Sequence, residues 1–187
     1  GEISTSCYVD IPKVARDVLV EIGYDSANSG FNGNTCAVLS SIDSQSPDIA
    51  MGVNESFEYK SGDTDEYNKI GAGDQGIMFG YATDESEDYM PYPISIANRL
   101  AKQLSEVRKN GKIPCLKSDG KVQVTVEYVN DEPFRIDTIL ISTQHSENVD
   151  IEILQKDILK KVIMPIVKED MIDVEQNFIL IRQENLF

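Results

Sequence analysis

Two runs that alternate well, KVQVTVEYV (121–129) and FRIDTILIST (134–143), are joined by the four residues NDEP. A period of two sends successive side chains to opposite faces of a strand, and so short a break joins neighbours as a hairpin. One face of this hairpin is apolar and has to be covered. A helix is expected from about Ile94 to Lys109, with Ile96, Leu100 and Leu104 as part of its apolar stripe. A second helix is expected from about Val149 to Val167, kinked or ended near Pro165, followed by a last strand around 178–182.

The first fifty residues read as a strand–helix–strand unit. Residues 3–9 are strand-like. Asp10 and Pro12 then mark a helix start, Val14, Val18 and Ile22 recur at helical spacing, and Gly23 ends the helix. TCAVLSSI (35–42) reads as a buried strand. Residues 43–70 are polar, rich in Ser and Asp and without sustained period. That is too long for an ordinary connection, so a lid, a binding loop or a disordered linker is expected. A further strand is expected at 75–83. The fold class is α+β, with helices packed on mainly antiparallel or mixed sheets.

At 187 residues the chain makes one generous domain or two small ones. It has no stretch of 18 apolar residues to span a membrane and no secretory leader pattern. Cys7, Cys36 and Cys115 are far apart and outside any C-x-x-C, which fits buried free thiols in a reducing cytoplasm. The lone histidine, His145, argues against a histidine-built metal site. The formal charge of −15 excludes a general nucleic-acid binder, since no basic field exists to displace phosphate counterions. A few focused Lys or Arg side chains with a divalent cation would still hold a phosphate ligand. The strand-like start and apolar end lead us to expect a piece of a longer polypeptide.

Gly71, Gly73 and Gly76 in GAGDQG have the spacing of a dinucleotide-binding fingerprint, but the context is wrong. That fingerprint needs a buried strand before it and a helix after it; here a polar loop precedes and strand-like IMFGYAT follows. Two readings remain level: a backbone that a ligand or another chain approaches closely, and a bulged strand edge. DESED (84–88) reads as a solvated acidic turn, and His145 as a helper in capping the following helix. RKNGK (108–112) reads as cations complementing a helix C-terminus, and SDGK (118–121) as a turn feeding a strand.

Taken in order, GEISTS, DIPKVARDVLVEIGY, GFNGNTCAVLSSIDSQSPDIAMGV, GAGDQGIMFGYATDE, MPYPISIANRLAKQLSEVRKNG and STQHSE resemble the S-adenosylmethionine synthase (methionine adenosyltransferase) family over nearly the whole chain. The resemblance implies repeated α+β domains and synthesis of S-adenosylmethionine from ATP and methionine. In that reaction sulfur attacks C5′, and the departing triphosphate is cleaved to pyrophosphate and phosphate. It further implies Mg²⁺ and K⁺ as cofactors, a cytoplasmic homo-oligomer (dimer or dimer of dimers), and active sites built across the subunit interface.

Residue by residue, the resemblance makes Glu2, Gln45 and Asp74 methionine contacts, and Asp119, Lys121 and Phe187 ATP contacts. It divides the chain into part of an N-terminal domain (1–42), an active-site gating loop (43–70) and a central domain (71–187). The family's G-H-P-D-K and G-G-G-A-F-S-G-K-D segments do not occur here, nor does its potassium-binding glutamate, and NLF stands where the family usually shows Gly-(Arg/Lys)-Phe. The residues present therefore assign no catalytic side chain and no metal ligand within this stretch, and the 187 residues alone are expected to be inactive. The alternative is a non-catalytic interaction module that keeps the fold.

Overall fold

The computed structural model describes residues 1–26, 29–71 and 77–172, and the backbone of 177–183. The chain forms two compact units, one of Gly1–Ala15 with Ala37–Gly80, the other of Arg16–Cys36 with Tyr81–Phe187. Its class is α+β. No described helix is long and apolar enough to cross a membrane.

The larger unit holds a three-stranded mixed sheet in the order β1 (Leu116–Val129), β2 (Glu132–His145), β3 (Asn177–Gln183). Strands β1 and β2 are the expected hairpin, antiparallel and paired Val124 to Ile139 and Glu127 to Arg135. Its turn is shorter than NDEP: Asn130 and Asp131 alone take positive φ (53° and 64°), while Glu132 and Pro133 already belong to β2. Two consecutive left-handed residues match the twist of the flanking strands, and Asn and Asp tolerate that conformation best after Gly. Strand β3 lies parallel to β2.

Helix α4 (Tyr92–Lys109) buries Ile96, Leu100, Leu104 and Val107, the stripe that its spacing predicts. These join Ile136, Ile139 and Ile141 of β2, with Val122, Val124 and Val126 of β1 packed alongside. The expected second helix is real but shorter. Helix α5 (Ile151–Ile158) passes into a π turn at Leu159–Ile163, closed by the Met164 N–H on the Leu159 carbonyl at 3.0 Å. The widened turn ends just ahead of Pro165, whose ring disfavours helix for the residue before it. Leu154, Ile158, Val162 and Val167 stay buried through the change of pitch.

Helix α1 (Ile11–Ile22) forms where expected and ends at Gly23, which has φ +117°. Its stripe is not a core: Val14, Val18 and Ile22 are 51%, 48% and 40% exposed. The strands expected at 3–9 and 35–42 are absent. One isolated parallel bridge, Glu2 to Asp43, stands in their place. Strand propensity expresses itself only with neighbours on which to pair, and these segments have no ladder to join. Residues 77–83 of the expected 75–83 strand are also extended outside any ladder, with Phe79 93% exposed.

Segment 43–70 is more ordered than its polar composition suggests. It carries α2 (Pro47–Val53), α3 (Phe57–Lys60) and a 3₁₀ turn at Glu66–Lys69. Local capping explains this: Pro47 opens α2, the Ser56 hydroxyl accepts the Tyr59 N–H, and Asp65 accepts the Tyr67 N–H. Lys60 donates to the Met51 and Gly52 carbonyls at the end of α2. Gly71 lies so close to the Val53 carbonyl that no Cβ fits. Close backbone approach is therefore what that first glycine of GAGDQG permits, and the approaching group is the chain itself.

Candidate substrate-binding residues

In the smaller unit the Ile3 N–H donates to the Asp43 carbonyl, and the Asp43 N–H to the Gly1 carbonyl, both at 2.9 Å. This bridge brings Glu2 beside residues 43–46, and the Ser46 N–H points at Glu2 Oε2 from 3.4 Å. Gln45 sits between the two contact points, half-buried, while Glu2 is exposed. The open Glu2 carboxylate suits a ligand ammonium group. Asp74 and Phe187 lie outside the described residues.

In the larger unit Asp119 and Lys121 lie on β1, so SDGK is strand and not the expected turn. The register slips between Leu116 and Gly120, passing over Lys117, Ser118 and Asp119. Regular pairing resumes with Gly120 to Thr143 and Lys121 to Ser142. Gly120 sits under α4: a Cβ there would stand 2.9 Å from Leu104 Cδ2. Strand alternation then sends the side chain of Lys121 to the face away from α4, where it is exposed, as is Asp119 just before the glycine. A β-bulge of this kind re-aims side chains and is common beside functional sites.

DESED is the expected turn, with Asp84, Glu87 and Asp88 exposed, but it also makes structural contacts. Helix α4 has no side-chain cap of its own. Instead Glu85 Oε2 accepts the Tyr92 N–H at 2.9 Å and the Tyr128 hydroxyl at 2.5 Å. Asp88 accepts the Ser86 and Ser95 hydroxyls. Glu85 thus supplies one acceptor that the first turn of α4 lacks, and the charge of the run suits the positive helix end. The Tyr128 hydroxyl, then the Tyr92 N–H, hold the Glu85 carboxyl below its usual range. Burial first, then Glu85, push the Tyr128 phenol up to about 12.

His145 does not cap α5, because Asp150 does: its Oδ1 accepts the N–H groups of Glu152 and Ile153. His145 closes β2, buried, with Nδ1 2.8 Å from the Ser146 carbonyl. Cys7 is exposed and Cys36 and Cys115 are half-buried, so the expected burial of all three thiols does not hold; all are free. Burial raises the Cys115 thiol pKa.

Comparison with known proteins places these features in a family. The family model described as S-adenosylmethionine synthetase, central domain, matches residues 69–187, and the N-terminal domain model of the same enzyme matches residues 1–47. S-adenosylmethionine synthase of Clostridium botulinum (strain Alaska E43 / Type E3) is 55% identical over 180 residues, covering 96% of this chain and 46% of that protein. The Clostridium tetani (strain Massachusetts / E88) protein of the same name is 56% identical over 178 residues, covering 95% and 46%. That of Clostridium acetobutylicum is 53% identical over 173 residues, covering 92% and 44%. The chain spans about half the length of these relatives, and the central-domain model alone matches more than half of it: it belongs to the S-adenosylmethionine synthetase family.

Proposed function

We propose that this chain is part of an enzyme that converts ATP, L-methionine and water to S-adenosylmethionine, phosphate and pyrophosphate. The observation that carries this reading is identity of 53–56% to proteins named S-adenosylmethionine synthase along nearly the whole chain. Glu2 and Gln45 would hold the methionine ammonium and backbone end, with Asp74 beside them. Asp119, Lys121 and Phe187 would meet ATP, the Lys121 ammonium lying against phosphate and the phenylalanine beside adenine. Holding sulfur in line with C5′ converts an encounter into an intramolecular displacement, and cations on the triphosphate favour its departure.

Mg²⁺ and K⁺ are the proposed cofactors. Among the described residues no group of three or more His, Cys, Asp or Glu is arranged to hold a metal ion. No described residue is therefore assigned to either ion, and no step is assigned through them. We further propose residues 1–42 as part of an N-terminal domain, 43–70 as the gating segment whose closure excludes water, and 71–187 as a central domain. The working form is a cytoplasmic homo-oligomer, a dimer or dimer of dimers.

The test is S-adenosylmethionine formation by the protein expressed from its complete reading frame, with ATP, methionine, Mg²⁺ and K⁺. Product that depends on Lys121 through the KM for ATP, and on Glu2 through the KM for methionine, supports the assignment. Absence of product from a folded, self-associating protein would favour the non-catalytic module instead.

A further inference from the structure

We propose that Arg108 and Ser118 are positioning residues that aim Asp119 and Lys121. The proposal rests on the ATP-site reading given above. Its starting point is a single atom, the carbonyl oxygen of Ile22 in the last turn of α1. Carbonyls there have no partner within their own helix. Arg108 Nη2, from the end of α4, donates to this oxygen at 2.6 Å, and the Ser118 hydroxyl, from β1, donates to it at 3.3 Å. Three elements of the larger unit therefore meet on one acceptor.

The meeting point needs a glycine. Gly23 follows Ile22 at φ +117°, and a Cβ there would stand 2.5 Å from Arg108 Nη1 and 2.6 Å from Ser118 Oγ. The sequence puts Arg108 at a helix C-terminus; it serves one, but the helix is α1 and not its own.

Ser118 lies in the middle of the three β1 residues that the register slip passes over. From Gly120 to Thr125 the regular ladder fixes where each side chain points. Across Lys117–Asp119 that regularity is interrupted, and the Ser118 hydroxyl on the Ile22 carbonyl anchors the strand from the side of α1. Arg108 holds the same carbonyl with a charge-assisted bond, the stronger kind. The next residue after Ser118 is Asp119, and two further on is Lys121. A guanidinium is also a natural phosphate ligand, but here one of its nitrogens is committed to the protein backbone, so its part is to hold the strand and leave phosphate to Lys121.

The test uses the enzyme expressed from its complete reading frame, with ATP and methionine varied separately. Arg108→Met should raise the KM for ATP about five- to tenfold while kcat and the KM for methionine stay within about twofold, as expected when one substrate's contacts lose their aim. Arg108→Lys should restore most of the loss. Ser118→Ala should shift the KM for ATP the same way by about two- to fivefold, and carries the test if Arg108→Met does not fold. A purely structural role predicts a lower yield of active enzyme and unchanged KM values, and that result overturns the proposal. Lys121→Met is the control. If it leaves the KM for ATP unchanged, the ATP-site reading fails and this proposal with it. If it raises that KM while the Arg108 and Ser118 variants do not, only the positioning role is refuted.

Discussion

Replacing Gly23 with alanine should weaken the larger unit through two separable effects. A non-glycine residue forced to φ +117° stores about 1–3 kcal/mol of backbone strain. The new methyl would also occupy the space of Arg108 Nη1 and Ser118 Oγ. The guanidinium, being the end of a flexible side chain, swings away cheaply, but its bond to the Ile22 carbonyl goes with it. A hydrogen bond to a charged group contributes about 1.5–3 kcal/mol when shielded, and about half that for the half-exposed Arg108. Together the loss is about 2–4 kcal/mol by these two contributions. Urea unfolding followed by circular dichroism measures it. The sharper assay is a double-mutant cycle with Arg108→Met. Alanine at 23 has already displaced the guanidinium, so removing the arginine as well should add little, leaving a coupling of about 1 kcal/mol. If the two losses simply add, the methyl does not reach the guanidinium and the packing described at Gly23 is wrong.

Four further outcomes follow from the described contacts. Leu100→Ala, at a fully buried site on α4, should cost about 3–5 kcal/mol in urea unfolding, and a loss under about 1 kcal/mol would contradict its place in the core. Asp150→Ala removes the side-chain acceptor for two N–H groups of α5 and should cost about 1 kcal/mol, visible as faster hydrogen exchange at Glu152 and Ile153. The Glu85–Tyr128 bond sets two pH limits. The depressed Glu85 carboxyl contributes stability above its ordinary value of 4.5 that disappears as pH falls through the lower folded value, and the raised phenol contributes stability below pH 10 that disappears as pH climbs toward about 12. Thermal midpoints of Tyr128→Phe should therefore vary less with pH at both extremes than those of the parent; equal curves would dismiss the bond. Glu2→Gln in the complete enzyme should raise the KM for methionine and not that for ATP, and the reverse pattern in steady-state kinetics would remove Glu2 from the methionine site.

The hairpin and α4 were legible because their information is local. Alternation in 121–143 and the Ile96–Leu100–Leu104 stripe each specify a face, and the faces match. Segments 3–9 and 35–42 have strand-like residues but lack a ladder to join, which no local pattern reveals. Segment 43–70 misleads for the opposite reason: its helices are too short to show a period and are held by Pro47, Ser56 and Asp65. DESED and His145 depend on contacts with Tyr92, Tyr128 and Ser146 that composition does not disclose. The proposed substrate residues were found through a family likeness, whereas the slip in β1 beside Asp119 leaves no mark in the sequence.

The parallel pairing of β2 with β3 imposes an order of events on folding. β1 and β2 meet across two residues, so their ladder can close as soon as the turn forms. β3 reaches its place beside β2 only after the chain has crossed the whole of 146–176 and returned along the sheet. Loop closure over that length is entropically dearer, and it is compensated only when α5 and its π turn find their seat. The hairpin with α4 is thus the part able to form early, and β3 the last arrival. Pulse-labelled hydrogen exchange would see the amides of Val124 and Ile139 protected before that of Ile179, and simultaneous protection would contradict this sequence of steps. A ribosome releasing the chain from its N-terminus would meet the same order, since the hairpin emerges well before the strand that completes the sheet.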